Sequence, residues 1–373
     1  MLNAIRLVLV IGALSLYAGL TTVAATPIRQ LTATQQASLR PALSPDAKRI
    51  AFQRNEGDGR YHIWVMDADG SNSKRVTAGD VDDRHPAWSP DGKILAIDSG
   101  SEGKREIWLI DIATTQRTQV TKLGGIASFP SFSPDGARIA FYLYRSGGTD
   151  VWTVKRDGSE VQQLTRDLAS EQRQQCTFAC HAAAWSPRGD RIAFSASDHT
   201  KVVVMEPVAD SVPQVISPDD ERAHFPIYLS DGRLVYVSEH ITLDQSWTDL
   251  WVQPPAEGGA RAPLVNGVQA QGPFEISRDA QQLLFASPRS GVFEIYAVTL
   301  DEAGKSALAE RVVRGSGGTQ SAVTPGAAAA AAAAKKPDAG PFGESTPYLL
   351  GLAAIALVGI GVELFVRAKR VGR

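Results

Sequence analysis

Two cysteines occur in the whole chain, Cys176 and Cys180, and His181 follows the second. The order C-x-x-x-C-H is one residue longer than the C-x-x-C-H that attaches haem c, so a covalent haem with His181 as axial ligand is one chemistry open to it. The same pair can close a local disulfide, the default in an oxidising compartment; so short a loop contributes about 2 kcal/mol at most by chain entropy. Zinc binding and a free redox couple are the remaining uses. Other chemistry-bearing side chains fall in short clusters a few residues ahead of Ser-Pro-Asp-Gly-like turns. These are Arg40; Asp82, Asp83, Arg84 and His85; His181; and Glu221, Arg222, His224 and Phe225. Such a mixture can bind a peptide or an acidic group, or a metal through His85 or His224. No carboxylate–histidine spacing enforces a metal site, and the plainer reading is a solvated loop rim.

The familiar catalytic signatures are missing: no G-x-S-x-G elbow, no Walker loop, no H-E-x-x-H and no G-x-G-x-x-G. An enzyme is therefore the less favoured expectation. The 373 residues carry 38 Lys and Arg against 40 Asp and Glu, a net charge of -2. That balance argues against a general nucleic-acid binder, which clusters a basic excess. With 43% hydrophobic and 21% charged residues the chain has globular composition and enough apolar material for a sizeable core.

The elements that must position these residues are set by a repeat. Its strongest copies are Ala42–Phe52, Ala87–Ile97, Ser131–Phe141 and Ala184–Phe194, with weaker ones at Ile227–Tyr236 and Glu275–Phe285. The Gly or Ala that ends each turn stands at 47, 92, 136, 189, 232 and 280, so the period is 43 to 53 residues. Downstream of the turn comes an alternating strand with an aromatic, as in Ile63-Trp64, Ile107-Trp108, Val151-Trp152, Leu250-Trp251 and Ile295-Tyr296. A short strand ending in Thr77, Thr121, Thr165 or Ser217 follows. Period-2 alternation bounded by Gly, Pro and Asp is the antiparallel signal, and four strands per repeat of this length is a propeller blade. Pro and Asp preorganise the reversal, Gly takes the positive φ, and the aromatics are expected to fill the wedge between blades, about 150–250 Å² each.

The repeats resemble the WD40-like repeats of the TolB β-propeller family over residues 27 to about 314, roughly three quarters of the chain. The resemblance implies an all-β, six-bladed β-propeller whose innermost strands run into the S-P-D-G turns. The clusters above would then crowd one mouth of the central channel. Arg29-Gln-Leu-Thr32 matches the last strand of a blade and is the favoured closing strand, in competition with Glu310–Arg314. The family's namesake joins an α/β domain to its propeller and binds an outer-membrane lipoprotein within an envelope complex. Only about 15 residues separate the leader from the first repeat here, so the chain is expected to be TolB-like and not TolB itself. Propeller lactonases and pectate-type lyases hold metal in the channel with His, Asp or Glu. That similarity makes a metal-assisted hydrolase or lyase at the mouth an alternative.

Both ends read as targeting segments. Arg6 followed by an apolar run and the small residues Val23-Ala24-Ala25 predicts a secretory signal peptide over 1–25, with an uncleaved signal anchor as the alternative. Residues 26–314 are the propeller, and 315–347, with eight consecutive alanines among Gly, Pro and Ser, are a flexible linker. Tyr348–Val366 is apolar except for Glu363, and Arg367, Lys369, Arg370 and Arg373 follow it. This predicts a transmembrane helix with a basic cytoplasmic tail over 367–373. The expectation is a single-pass protein of the cell membrane with an extracytoplasmic, periplasmic propeller. It would bind an envelope protein or peptide at Arg40, Arg84, His85, His181, His224 and Phe225, with no resident cofactor and Cys176 and Cys180 in a disulfide. A redox protein carrying haem c at Cys176, Cys180 and His181 is the other alternative.

Overall fold

The Ser-Pro-Asp-Gly segment reverses the chain by satisfying its own backbone. The Ser44 hydroxyl donates to Asp46 Oδ1 at 2.6 Å, freeing Ser44 Oγ to accept the Arg49 N–H at 2.9 Å. Ser89 with Asp91 (2.6 Å), Ser133 with Asp135 (2.5 Å) and Ser277 with Asp279 (2.5 Å) repeat the first bond. The turn ends in a left-handed residue, Gly92 at φ 66° and Gly136 at φ 71°, which glycine adopts without steric cost. The first and last repeats place Ala47 (φ 56°) and Ala280 (φ 57°) there instead.

The computed structural model describes residues 28–101, 103–145, 148–166, 182–196, 200–241, 246–255, 260–268, 274–301 and 305, all of one unit of the chain. Strand β1 (Ile28–Gln30) precedes the first repeat. Strands β2 (Ser38–Leu43), β3 (Arg49–Asn55), β4 (Tyr61–Asp67) and β5 (Lys74–Arg75) form a four-stranded sheet in that order. An eight-stranded sheet follows, made of β6 (Asp82–Trp88), β7 (Ile94–Ser101), β8 (Lys104–Asp111), β9 (Arg117–Gln119), β10 (Ile126–Phe132), β11 (Arg138–Arg145), β12 (Gly148–Lys155) and β13 (Gln162–Gln163). Its halves join where β10 meets β8 in parallel, Ile126 opposite Arg105. Two more four-stranded sheets are β14 (Ala184–Trp185), β15 (Ile192–Ala196), β16 (Lys201–Met205), β17 (Gln214–Val215), then β18 (Arg222–Tyr228), β19 (Leu234–Ile241), β20 (Ser246–Gln253), β21 (Ala262–Val268). The last sheet takes β22 (Phe274–Ile276), β23 (Gln282–Ser287), β24 (Glu294–Thr299) and, as its fourth strand, β1. The fold is an all-β propeller with four discrete four-stranded blades beside the eight-stranded sheet.

A Thr or Ser at the end of the fourth strand locks it to the third in every blade but that of β21 (Ala262–Val268). The Ile63 N–H donates to Thr77 Oγ1 at 2.9 Å, Ile107 to Thr121 at 2.8 Å, Val151 to Thr165 at 2.9 Å and Val202 to Ser217 Oγ at 3.1 Å. The Ile295 N–H donates to Thr32 Oγ1 at 2.9 Å in the same way, and Arg29 stands opposite Ala297. The N-terminal segment is therefore the fourth strand of the last blade. Glu310–Arg314 lies outside the described residues.

The wedge between blades is filled differently from expectation. The fully buried aromatic residues sit on the second strands, Phe52, Phe141, Tyr142, Phe194, Tyr236 and Phe285, while Ile63, Met66 and Ile107 are fully buried on third strands. The third-strand tryptophans Trp64, Trp108, Trp152 and Trp251 are only half-buried. Each lies beneath a guanidinium, from Arg54 (4.4 Å), Arg117 (5.1 Å), Arg145 (5.5 Å) and Arg261 (3.9 Å) respectively. The indole face stays near solvent because the arginine stem and charge cover it. First-strand tryptophans do bridge repeats: Trp88 Nε1 donates to Ala42 O at 2.9 Å and Trp185 Nε1 to Ser131 O at 3.3 Å.

The signal peptide, the linker, the predicted span Tyr348–Val366 and the basic tail lie outside the described residues. Among the described residues no helix is long and apolar enough to cross a membrane.

Candidate functional site

Four first strands break their ladder at the same place. Register shifts fall between Leu39 and Ala42, Arg84 and Ala87, Ser128 and Ser131, and His224 and Ile227. Each break holds one left-handed residue before a proline: Arg40 (φ 54°), His85 (φ 52°), Phe129 (φ 56°) and Phe225 (φ 55°). Glycine normally takes that conformation in a bulge, so four large side chains there are held against a local preference. Pro41, Pro86, Pro130 and Pro226 fit because a proline has no N–H for the broken ladder to strand. The N–H of the bulged residue is claimed by the second strand of the preceding repeat. His85 donates to Gln53 Oε1 at 3.0 Å, Phe129 to Asp98 Oδ1 at 3.3 Å and Phe225 to Ser195 Oγ at 3.3 Å.

Around three of these bulges the side chains converge. Asp98 is fully buried on β7 and accepts His85 Nδ1 at 2.6 Å and Arg105 Nε at 2.6 Å. Arg105 reaches on to Asp82 Oδ2 at 2.9 Å, which Arg84 also meets at 2.7 Å. The His85 ring stacks on Phe129 with centroids 3.8 Å apart. The Arg40 guanidinium lies 5.0 Å from the Phe129 centroid, and that of Arg84 5.0 Å from the Tyr61 centroid.

The charges follow from this packing. Burial pushes His85 down to about 4, and the Asp98 charge offsets that only in part. Burial alone would raise Asp98, but His85 and Arg105 hold it down at about 2. Burial lowers Arg40 to about 10, opposed by Asp98 and reinforced by the like charge of Arg84. Burial thus favours the neutral imidazole at His85. The bond to the carboxylate assigns its proton to Nδ1, leaving the lone pair on Nε2. An Asp–His pair backed by arginine can orient an acceptor toward a ligand.

The structure brings Arg40, Arg84 and His85 together. His224 and Phe225 occupy the corresponding bulge of β18, both buried, with rings 4.4 Å apart. Of the neighbouring acids, Asp83 is buried and paired with Arg117 at 3.0 Å, and Glu221 takes Arg261 and Ser238. His181, Cys176 and Cys180 lie outside the described residues, and with them the disulfide and haem c expectations. Among the described residues no group of three or more His, Cys, Asp or Glu is placed to hold a metal. Phe129, Tyr61, Asp98 and Arg105 were not singled out from the sequence. Phe129 shares the residue-before-proline signal with Arg40, His85 and Phe225, whereas Asp98 and Arg105 join only through pairing of β7 with β8.

Residues 53–175 match the TolB beta propeller domain family. That stretch, a third of the chain, is similar to the TolB propeller domain. A comparison with curated proteins finds no match. Among solved structures, TolB from Acinetobacter baumannii is 19% identical with a TM-score of 0.52, over 69% of this chain and 65% of that one. The chain thus spans less than two thirds of that TolB. A protein assigned as TolB from Agrobacterium tumefaciens is 20% identical with a TM-score of 0.36, over 70% and 73% of the two chains. Oligogalacturonate lyase from Vibrio parahaemolyticus is 14% identical with a TM-score of 0.44, over 74% and 94%. At 19% identity the likeness to the Acinetobacter baumannii TolB shows the fold alone.

Proposed function

We propose that this protein is a noncatalytic scaffold that binds an envelope protein or peptide at the mouth of its propeller. The eight-stranded sheet is read as two blades stitched at Ile126 and Arg105, giving six in all. Tyr348–Val366 anchors the propeller to the membrane from its periplasmic side, with the basic tail in the cytoplasm.

One observation carries this reading. Arg40, His85, Phe129 and Phe225 hold the same left-handed bulge in four repeats although none is glycine. Strained backbone that recurs at equivalent positions is retained where it aims side chains at a task. Here it gathers cationic, imidazole and aromatic groups, the kinds that dominate protein-binding surfaces.

Crosslinking tests it. A photoreactive side chain replaces Arg84, which is 38% exposed at the rim, or Val212, which is 85% exposed beside β17. In the full-length protein in its membrane, the rim position is expected to give a discrete adduct that Phe225→Ser abolishes, and the Val212 position none. Adducts of equal yield from both positions, or none at the rim, would refute the reading.

A further inference from the structure

The second and third repeats meet across a seam that differs from the one between the first and second. In four repeats the residue five places after the turn serine gives its N–H to that serine's Oγ. These are Arg49, Ile94, Arg138 and Arg191, at 2.9, 3.0, 2.9 and 3.0 Å, and Ile94 alone of the four is apolar. Arg49 crosses to the next repeat, where its guanidinium donates to Gly92 O at 2.6 Å and covers the Trp88 ring at 4.6 Å. In the same seam Ile112, whose N–H bonds Lys93 O, is buried with Val65 and Trp88. The next seam exchanges these parts. Ile94 stands for Arg49, and Arg156, whose N–H bonds Ala137 O, stands for Ile112. The shorter isoleucine does not cross as Arg49 does, Arg156 stays half-buried, and a cavity of about 540 Å³ opens there. Small-ligand sites span about 300–1,000 Å³.

The lining combines three chemistries. Ile94 and Leu109 supply an apolar wall. Asp111 and Asp157 each commit Oδ1 to their own turn, to the Thr114 N–H at 2.8 Å and the Ser159 hydroxyl at 2.6 Å. These bonds hold both carboxylates below the usual range, so they are ionised at neutral pH. Arg156 lines the same cavity, and the neighbouring Lys155 is taken by Glu160. Among the described residues neither the Arg156 guanidinium nor the two Oδ2 atoms have a hydrogen bond or ion pair. A simple anion or cation would meet only one of these signs. A ligand with both charges and an apolar body meets all three surfaces, and a guanidinium matches a carboxylate in two parallel hydrogen bonds. We infer that this cavity binds a zwitterion with an apolar side chain, a free amino acid or a short peptide, its carboxylate on Arg156, its ammonium on Asp111 and Asp157, and its side chain against Ile94 and Leu109. The site uses none of the bulge residues and is separate from the rim.

Equilibrium dialysis of the detergent-solubilised full-length protein tests it, with labelled leucine, leucyl-leucine, N-acetyl-leucyl-leucine and leucyl-leucinamide. Leucine or leucyl-leucine is expected to bind about tenfold more tightly than the acetylated and amidated forms, the scale of one charge-assisted contact. Tighter binding of the first identifies a free amino acid, and of the second a peptide. Arg156→Gln should remove the preference over leucyl-leucinamide. Ile94→Arg combined with Arg156→Ile rebuilds the Arg49–Ile112 arrangement, so it should abolish binding and leave the photoadduct from position 84 unchanged. Equal binding of all four probes, binding that survives the double substitution, or no binding of any probe would overturn the inference. The comparison of probes on the unaltered protein needs no variant to fold.

Discussion

A left-handed backbone costs an L-residue about 1 kcal/mol or more, and this chain accepts it in two settings with different consequences. In the turns, Ala47 and Ala280 stand where other repeats have glycine. Ala47→Gly and Ala280→Gly are expected to raise the denaturant midpoint, each by about 1 kcal/mol, and Gly92→Ala to lower it by a similar amount. A added Cβ at Gly92 meets nothing closer than Arg49 Nη2 at 3.4 Å, so the backbone sets that effect. At the rim the same conformation carries Arg40, His85, Phe129 and Phe225, where glycine would be more comfortable and useless. Their place a few residues ahead of the Ser-Pro-Asp-Gly-like turns made Arg40, His85 and Phe225 legible. Phe129 escaped notice because its neighbours Ser128 and Pro130 bring neither charge nor imidazole, whereas Phe225 stands beside His224. Asp98 looks like any strand residue until β7 and β8 pair and seal it under His85.

At the scale of elements, the fourth-strand Thr is the part that makes blades interchangeable. Thr32 accepts the Ile295 N–H and donates to Glu294, whose other oxygen takes the Thr34 and Gln35 N–H groups at 2.9 and 3.1 Å. Thr32→Val leaves the fully buried Glu294 short of a donor and the Ile295 N–H without its acceptor. A loss of about 2–3 kcal/mol is expected in thermal or urea unfolding, against little for Thr32→Ser. Trp88→Phe should cost about 1 kcal/mol by the same measurement, since Ala42 O loses its indole donor. The closing strand was legible because R-Q-L-T repeats the local chemistry of R-V-T and Q-L-T elsewhere. The burial order within a blade was not. Sequence marks the tryptophans as the largest wedges, but only the folded sheet puts arginines over them and moves the core to the second strands.

At the scale of the molecule, pH acts through two buried groups of opposite sign. His85 binds its proton less readily folded than unfolded, so stability present above pH 6.5 is lost as pH falls toward about 4. Glu275, on β22 beside Leu43 of β2, is pushed up by burial from 4.5 to about 7. Its raised value means stability present below pH 4.5 is lost as pH rises toward 7. Each effect is on the order of 3 kcal/mol, and they oppose one another across the same window. Urea midpoints of the parent protein should therefore change little between pH 4.5 and 7. His85→Gln should leave a protein that weakens as pH rises, and Glu275→Gln one that weakens as pH falls. Blade repeats and charge balance were legible at this scale, while the sheet joining at Ile126 and Arg105 depends on a contact no local pattern announces. The central claim is that the rim's strained side chains serve binding, and the most direct measurement is the photoadduct yield from position 84 in Arg40→Gly. Glycine relieves the bulge, so unfolding should occur at the same temperature or higher while the yield falls about tenfold. An unchanged yield from a fully folded Arg40→Gly protein would contradict the account.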